Sequence, residues 1–366
     1  MSGPHPAVAA VRTAVRHALT ELACPPGTPL LVACSGGADS MALALAATAE
    51  AARTDAGWPV RAAVVDHGLQ PGSAERAETT VALLAEHGVP AEVHPVRVTG
   101  TGGVEAAARR ARYTALRAAR PSPASPVLLG HTLDDQAETV LLGLGRGSGP
   151  RSMAGMTSYD PPWLRPLLGV RRATTRAACA AWGVPVWDDP HNADPRFTRV
   201  RLRTEALPLL EDVLAGGVAE ALARTAAQLR EDGAALDEWA ALARAEVSVP
   251  EQAPETASEH RGEHRVELEA KKLAGYPASV RRRVLRSWLI EAGASDLTDA
   301  QLRRADDLVG RWRGQGGIAL AGELVLARGH GRLVLGPRSS VQASEQARAN
   351  KLSEQAQRTS SANKLE

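Results

Sequence analysis

The segment Ser35-Gly36-Gly37-Ala38-Asp39-Ser40 combines the groups that an anion site needs. Two glycines let backbone N–H groups approach a phosphate, and two serines add hydroxyl donors. A helix amino terminus placed after them adds its dipole. The loop lacks the lysine of a Walker loop and is not G-x-G-x-x-G, so it is neither of the two common nucleotide signatures. Asp39 narrows the chemistry further. A carboxylate beside a polyphosphate is repelled by about 4 kcal/mol per charge pair at roughly 4 Å, so a cation is expected between them. Mg2+, a hard ion that bridges carboxylate and phosphate oxygens, is the expected one.

A second chemical segment runs from His131 to Leu142. On a helical wheel Leu133, Ala137, Val140 and Leu144 share one face, and His131, Asp134, Asp135 and Glu138 fall on the other. The apolar face is expected to pack on a sheet and the acidic face to stay free. Acids in a first turn also complement the helix dipole, with Thr132 as N-cap. The position of the segment after a strand, in a chain that carries the nucleotide loop, favours chemistry instead. Asp39, Asp135 and Glu138 would then hold Mg2+ against a triphosphate, or one of them would act as a base. Downstream, Arg146-Gly147-Ser148-Gly149 is a basic loop suited to a phosphate or RNA backbone, or simply the helix's glycine stop. Arg196, Arg199, Arg201 and Arg203 crowd one stretch, and Arg281, Arg282, Arg283 and Arg286 another, on a chain of net charge +2. Such local clusters fit docking of one polyanion at defined places, or two solvated helix faces.

These residues need elements to position them. Apolar strands are expected over 30–34, 60–65, 91–98 and 127–129, with helices over 8–22, 41–52, 74–87 and 104–119 between them. That alternation predicts an α/β fold with a parallel sheet covered on both faces, whose ligands bind beyond the carboxyl ends of the strands. The segments at 35–40, 66–69 and 130–138 all follow strands directly. After Pro208 the texture becomes Ala-rich and helical, then polar over 248–262, with helices over 277–313 and a closing hairpin over 318–335. The expected organisation is a catalytic domain over 1–212, a smaller, mainly helical domain over 213–337 and a disordered tail over 338–366. Cys24, Cys34 and Cys179 form no CxxC pair, which argues against a disulfide framework or a cysteine zinc site. No run approaches the roughly 20 apolar residues of a membrane span, so a cytoplasmic protein is expected.

Ser-Gly-Gly-x-Asp-Ser resembles the pyrophosphate loop of the N-type ATP pyrophosphatases, which cleave ATP between its α and β phosphates to adenylate an acceptor. Further blocks are similar to the tRNA(Ile)-lysidine synthetase family in that family's order: VDHGL (65–69), VEAAARRARYTAL (104–116), GHTLDDQAETVLL (130–142), RGSG (146–149), RPLL (165–168) and WDDPHNADPRFTRVRLR (187–203). The resemblance implies a Rossmann-like pyrophosphate-loop domain. It implies ATP binding by Ser35, Gly36, Gly37, Ala38, Asp39, Ser40 and His131, and metal or catalytic roles for Asp39, Asp135 and Glu138. Arg109, Arg112 and Tyr113 would lie near the nucleotide or the cytidine, Arg146 near phosphate or RNA, and Arg196, Arg199, Arg201 and Arg203 on the tRNA surface. The implied reaction joins free L-lysine to the wobble cytidine of the CAU anticodon of tRNA(Ile), with ATP as co-substrate and Mg2+ as cofactor. Whether the chain acts as a monomer or a homodimer is left open. Thr132 stands where relatives often carry a second histidine, and Val200 where asparagine is usual.

Two alternatives belong beside this reading. A pyrophosphate-loop tRNA thiolase would need a sulfur-carrying cysteine or a CxxC-held cluster, whereas Cys34, inside a strand, reads as core. A non-catalytic RNA-binding protein would keep ATP only as a structural ligand, but bare carboxylates would weaken its hold on RNA. Trp182 and Trp187 read as core.

Overall fold

Short apolar runs alternate with Ala-rich periodic stretches through the first part of the chain, and they fold as strands and helices in turn. The computed structural model describes residues 3–53, 55–99, 103–147, 149–189, 193–249 and 267–337. The chain divides into two compact units, 1–230 and 231–366. The expected boundary at 212/213 falls at the end of a short helix, and the first unit continues to Arg230.

The first unit runs α1 (Pro6–Glu21), β1 (Leu30–Cys34), α2 (Ala38–Ala51), β2 (Val60–Asp66), α3 (Ser73–Glu86), β3 (Ala91–Pro95), α4 (Val104–Ala118) and β4 (Val127–Leu129). It continues with α5 (Leu133–Gly145), α6 (Pro150–Met153), β5 (Tyr159–Asp160), β6 (Trp163–Leu164), α7 (Arg172–Trp182), α8 (Thr198–Arg201), a π-helical turn over Leu202–Ala206 and α9 (Leu207–Val213). α10 (Val218–Val247) passes through the division after Arg230.

The sheet order is β3-β2-β1-β4-β6-β5, and every pair except β5–β6 is parallel. The chain builds outward from β1 to β3 and then returns to place β4 on the other side of β1. That reversal opens a crevice beyond the carboxyl ends of β1 and β4. Alternation along β1 sorts the two faces. Leu30, Val32 and Cys34 join the core under α1, α2, α3 and α7. Leu31 joins Ala63, Val127, Leu129 and Trp163 against Leu116 and Tyr113 of α4. α2 is buried almost all round, including Glu50, whose carboxylate accepts from Arg12 and Arg16 of α1 at 2.6 and 2.7 Å. A charge buried this deeply persists because both of its oxygens are paired.

The second unit contains residues 231–247 of α10, β7 (Glu267–Glu269), α11 (Ala270–Ala274), α12 (Ala278–Glu291), α13 (Asp299–Gly310), β8 (Ile318–Ala319), β9 (Leu324–Gly329) and β10 (Arg332–Pro337). Its strands form an antiparallel sheet in the order β7-β10-β9-β8. The expected closing hairpin is thus part of a four-stranded sheet. β7 escaped the pattern because three residues with a single leucine carry no usable alternation. Trp288 of α12 is fully buried in the core. Within the arginine stretch of α12, Arg281 pairs with Asp306 at 2.7 and 3.0 Å and Arg283 with Asp237 at 2.8 Å. These two arginines tie helices together instead of forming a free basic face. The repetitive tail from 338 lies outside the described residues. No helix among the described residues is long and apolar enough to cross a membrane.

Candidate active site

The Ser35–Ser40 loop joins β1 to the amino terminus of α2, at the crevice. Gly36 sits at φ +79°, the left-handed region that glycine tolerates, and a Cβ there would lie 2.8 Å from the Thr80 hydroxyl. The Ser40 hydroxyl is turned into the loop. It donates to the Gly37 carbonyl at 2.9 Å and accepts from the Ser35 backbone N–H at 3.1 Å. Ser40 therefore shapes the cradle, leaving the backbone N–H groups of the helix start to meet an anion. Across the crevice, a Cβ on Gly130 would lie 3.0 Å from the backbone of Asp39 and Ser40. Glycine after β4 lets the two chains pass this closely.

α5 begins opposite the loop, and Thr132 is its N-cap as the sequence indicates. The Asp135 carboxylate accepts from the backbone N–H of Thr132 at 2.8 Å and from its hydroxyl at 2.9 Å. Thr132 is wholly buried, so the position that departs from the family pattern serves the helix start. Val200, the other departure, is buried in α8.

Asp39, Asp135 and Glu138 do converge, but around a residue that the sequence did not single out. The Arg172 guanidinium, at the first position of α7, donates to Asp135 Oδ1 at 2.6 Å, Asp39 Oδ2 at 3.3 Å and Glu138 Oε1 at 3.5 Å. Its backbone N–H donates to Asp134 at 2.8 Å, so Asp134 anchors α7 instead of facing the cavity. Thr175, one turn further on, donates its hydroxyl to the other Asp39 oxygen. Glu138 is 0% exposed, and Arg203 donates to both of its oxygens, at 2.8 and 3.2 Å.

The expectation of a free acidic face on α5 therefore needs correction. Leu133 and Ala137 pack on Leu207 of α9 and Ala219 of α10, not on the sheet. Arginines from α7 and from the π-helical turn cover the opposite face. Leu144, expected on the apolar face, is 59% exposed.

The balance of charge follows from these contacts. Burial pushes the Asp39 carboxyl above its usual range, against the hydrogen bond from Thr175 and the charge of Arg172. Burial acts on Asp135 in the same direction, but Arg172 and the hydrogen bonds from Thr132 outweigh it and hold that carboxyl below its usual range. The four surrounding carboxylates overcome burial at Arg172 and lock it as a cation. Burial pushes His131 down to about 4, against Asp135 and assisted by Arg165 and Arg112. Its Nδ1 is buried without a protein partner. Arg112 is also held below its ordinary value by burial, and its Nε lacks a partner.

These groups line one cavity of about 350 Å3, bounded by the loop, His131, Asp135, Arg112, Arg172 and Arg203. Its carboxylates, Asp39 and Asp135, are paired with Arg172, whereas Arg112 holds no carboxylate among the described residues and suits an anion. A second cavity, about 320 Å3 and more apolar, lies on the α3 side of Ser35 and Gly36. Trp187 borders both cavities, and its backbone N–H donates to the Gly36 carbonyl at 3.1 Å. Arg76 lies 5.0 Å from its ring centroid. Trp187, read as core, instead braces the loop.

The remaining arginines separate by their partners. Arg109 donates to the Tyr113 hydroxyl at 3.1 Å and stacks on its ring. Arg203 faces the acidic centre, whereas Arg196 pairs with Asp194 and Arg201 with Glu205 at the surface. Arg199 is exposed and reaches the Thr139 hydroxyl at 3.3 Å. Arg146 caps the carboxyl end of α5.

Arg172 and Thr175 were missed because neither belongs to a motif. One signal was available. Arg171 and Arg172 stand at a helix amino terminus, where the dipole disfavours cations, so their presence there demands acidic partners.

Comparison with known proteins adds three findings. The PP-loop domain family matches residues 11–210, and the TilS substrate binding domain family matches residues 268–334. A tRNA(Ile)-lysidine synthase from Rhodococcus jostii (strain RHA1) is 56% identical over 337 residues, covering 90% of this chain and 96% of that protein. One from Mycobacterium tuberculosis (strain ATCC 25618 / H37Rv) is 56% identical over 311 residues, covering 85% and 88%. Among solved structures, the U34-tRNA thiolase NcsA from Methanococcus maripaludis with its [4Fe-4S] cluster aligns with a TM-score of 0.51 at 15% identity, over 62% of this chain and 79% of that one. That last likeness concerns the fold alone.

Proposed function

This chain belongs to the tRNA(Ile)-lysidine synthase family, and from that premise we propose that it joins L-lysine, through its ε-amine, to C2 of the wobble cytidine in the CAU anticodon of an isoleucine tRNA. One observation carries the reading to this chain's own residues: the Ser35–Ser40 cradle and the Asp39–Asp135–Arg172 cluster line one cavity. The cytidine C2 carbonyl is a poor electrophile with no leaving group. Transfer of the ATP adenylyl group to O2 supplies one, with pyrophosphate released, and AMP departs when the amine attacks C2. The backbone N–H groups at the start of α2 stabilise charge that develops on the phosphates.

The lysine ε-amine has a pKa near 10.4, so about one molecule in 2500 is neutral at pH 7, a deficit of roughly 4.6 kcal/mol. Exclusion from water favours its neutral form. Asp39 and Asp135, which line the cavity, are the proton acceptors within reach. Arg172 keeps them from repelling one another before substrate binds, and Glu138 positions Arg203 and Arg172.

The donor set fits Mg2+ at two of the three expected residues. Asp39 and Asp135 line the cavity with hard carboxylate oxygens, which here accept from Arg172, Thr175 and Thr132, and Mg2+ is commonly held by one or two carboxylates together with substrate phosphates. Glu138 is fully buried between arginines. No group of three or more His, Cys, Asp or Glu among the described residues is placed to hold a metal ion. When bound, Mg2+ supplies Lewis-acid neutralisation of phosphate charge. The second unit, which carries the TilS substrate binding domain match, is assigned to tRNA recognition.

The thiolase alternative has little support in the chain. All three cysteines are buried, and burial raises the Cys34 and Cys179 thiols, so neither is a ready nucleophile.

The test is mass spectrometry of an isoleucine tRNA transcript after incubation with ATP and lysine. A gain of one lysine residue is expected, with pyrophosphate release that requires both lysine and the tRNA. A sulfide-dependent gain would establish the thiolase instead. Tight tRNA binding without ATP turnover would show a binding protein.

A further inference from the structure

Two sets of arginines in the first unit differ in their partners. Arg12, Arg16, Arg172, Arg176, Arg196, Arg201 and Arg203 each hold a carboxylate at hydrogen-bond distance. On α4 the pattern is different: Arg109, Arg112 and Arg117 have aromatic partners and no carboxylate partner among the described residues. Arg109 lies 4.7 Å from the Tyr113 ring centroid, Tyr113 meets Trp163 edge-on at 4.6 Å, and Arg117 lies 5.7 Å from the Trp163 centroid. Arg109 and Arg117 are exposed, whereas Tyr113 is half-buried and Trp163 buried.

Helix spacing explains the alignment. Positions 109, 113 and 117 recur every four residues on one side of α4 and span roughly 12 Å of its axis. A guanidinium resting on a ring uses its face, which leaves its N–H edges directed outward for phosphate oxygens. Its other face remains a plane on which an unstacked base can lie. Arg112, on the same helix, reaches the wall of the cavity that holds Asp39.

We propose that this face of α4, built from Arg109, Tyr113, Trp163 and Arg117, is the surface that receives the single-stranded anticodon loop and leads it to the cavity. The proposal rests on the tRNA-ligase reading above and deepens it. An acidic peptide would satisfy the charge but leave the guanidinium planes held beside Tyr113 and Trp163 without purpose. Single-stranded RNA supplies both phosphates and bases. The surface pairs at Arg196 and Arg201 are already neutralised by Asp194 and Glu205, so they have less to offer a phosphate.

The experiment measures binding of the full chain to isoleucine tRNA and to its anticodon stem-loop by fluorescence anisotropy across a salt series. The variants are Arg117→Ala, Arg117→Lys, Arg109→Ala/Arg117→Ala and, for comparison, Arg196→Ala/Arg201→Ala. The α4 double variant is expected to raise Kd about tenfold. It should also flatten the slope of log K against log salt by about 1.4, since each single-strand phosphate that is no longer neutralised takes about 0.7 from it. Arg117→Lys should keep the slope yet bind more weakly, because an ammonium lacks the stacking plane. Unchanged Kd and slope in the α4 double variant, or a larger loss in the Arg196/Arg201 variant, would overturn the proposal. If melting shows that the double variant is unfolded, Arg117→Ala alone decides by the same slope, since this side chain is exposed and holds no carboxylate among the described residues. Failure of the wild-type protein to modify tRNA in the mass-spectrometric assay would defeat the functional reading itself. Modification by the wild type together with an unchanged slope in the variants would defeat only the α4 surface.

Discussion

Glu138 shows how a buried carboxylate is held by charge pairing. It is fully buried between Arg203 and Arg172, and an unpaired charge at that depth is severely unfavourable. Arg203→Met should therefore destabilise the protein by about 3 kcal/mol in chemical denaturation, with Arg172 left as the remaining partner. Arg196→Ala, which breaks an exposed pair, should leave the midpoint where it is. Equal midpoints for the two variants would mean that Glu138 is not held as described. His131 makes a pH-dependent contribution. Burial keeps its ring neutral down to about pH 4, whereas an unfolded histidine protonates near 6.5. The unfolded chain thus binds the extra proton first as pH falls. The contribution is complete above about 6.5 and is lost between there and about 4, amounting to roughly 3 kcal/mol at most. A His131→Gln variant should lose less stability over that window than the wild type, as followed by urea denaturation at each pH. Parallel curves would mean that the ring is hydrated.

At the scale of elements, the site exists because β1 and β4 end side by side and their following loops nearly touch. Gly130 makes this approach feasible, since a Cβ there would meet the backbone of Asp39 and Ser40 at 3.0 Å. Backbone cannot yield as a flexible side chain does, so Gly130→Ala should push the loop away from α5. An increase in the KM for ATP of at least tenfold is expected, with only a modest change in melting temperature. Unaltered kinetics would show that the loop tolerates displacement. Most of this layout was legible in the residues. The Ser-Gly-Gly turn, the Thr132 cap and the apolar run of β1 are local signals, and each appears in the structure where the sequence places it. α7 was not legible in the same way. Its chemistry resides in Arg172 and Thr175, which join Asp39 from 133 and 136 residues away, and no local period encodes such a partner. The packing of α5 against α9 and α10, instead of the sheet, was hidden for the same reason.

For the whole molecule, a net charge of +2 means that no general attraction draws polyanions to the surface. Binding must come from placed groups, so duplex DNA should fail to compete for isoleucine tRNA at physiological salt. Efficient competition would show that nonspecific charge dominates. The two units have separate cores, one on a mainly parallel sheet and the other on an antiparallel sheet with Trp288 at its centre. That separation is consistent with one unit for chemistry and one for recognition.

The amino-acid order alone determined the glycine-rich cradle, the α/β alternation and the acidic segment, and its motifs carried the resemblance to the family. The first three depend on dihedral preferences, hydrogen bonds and periodicities between residues a few positions apart. Only the folded chain decided which arginines are neutralised and which remain available, and that the acidic cluster encloses Arg172. Such outcomes depend on distances across the molecule, where charge pairing acts between groups that sequence spacing does not relate.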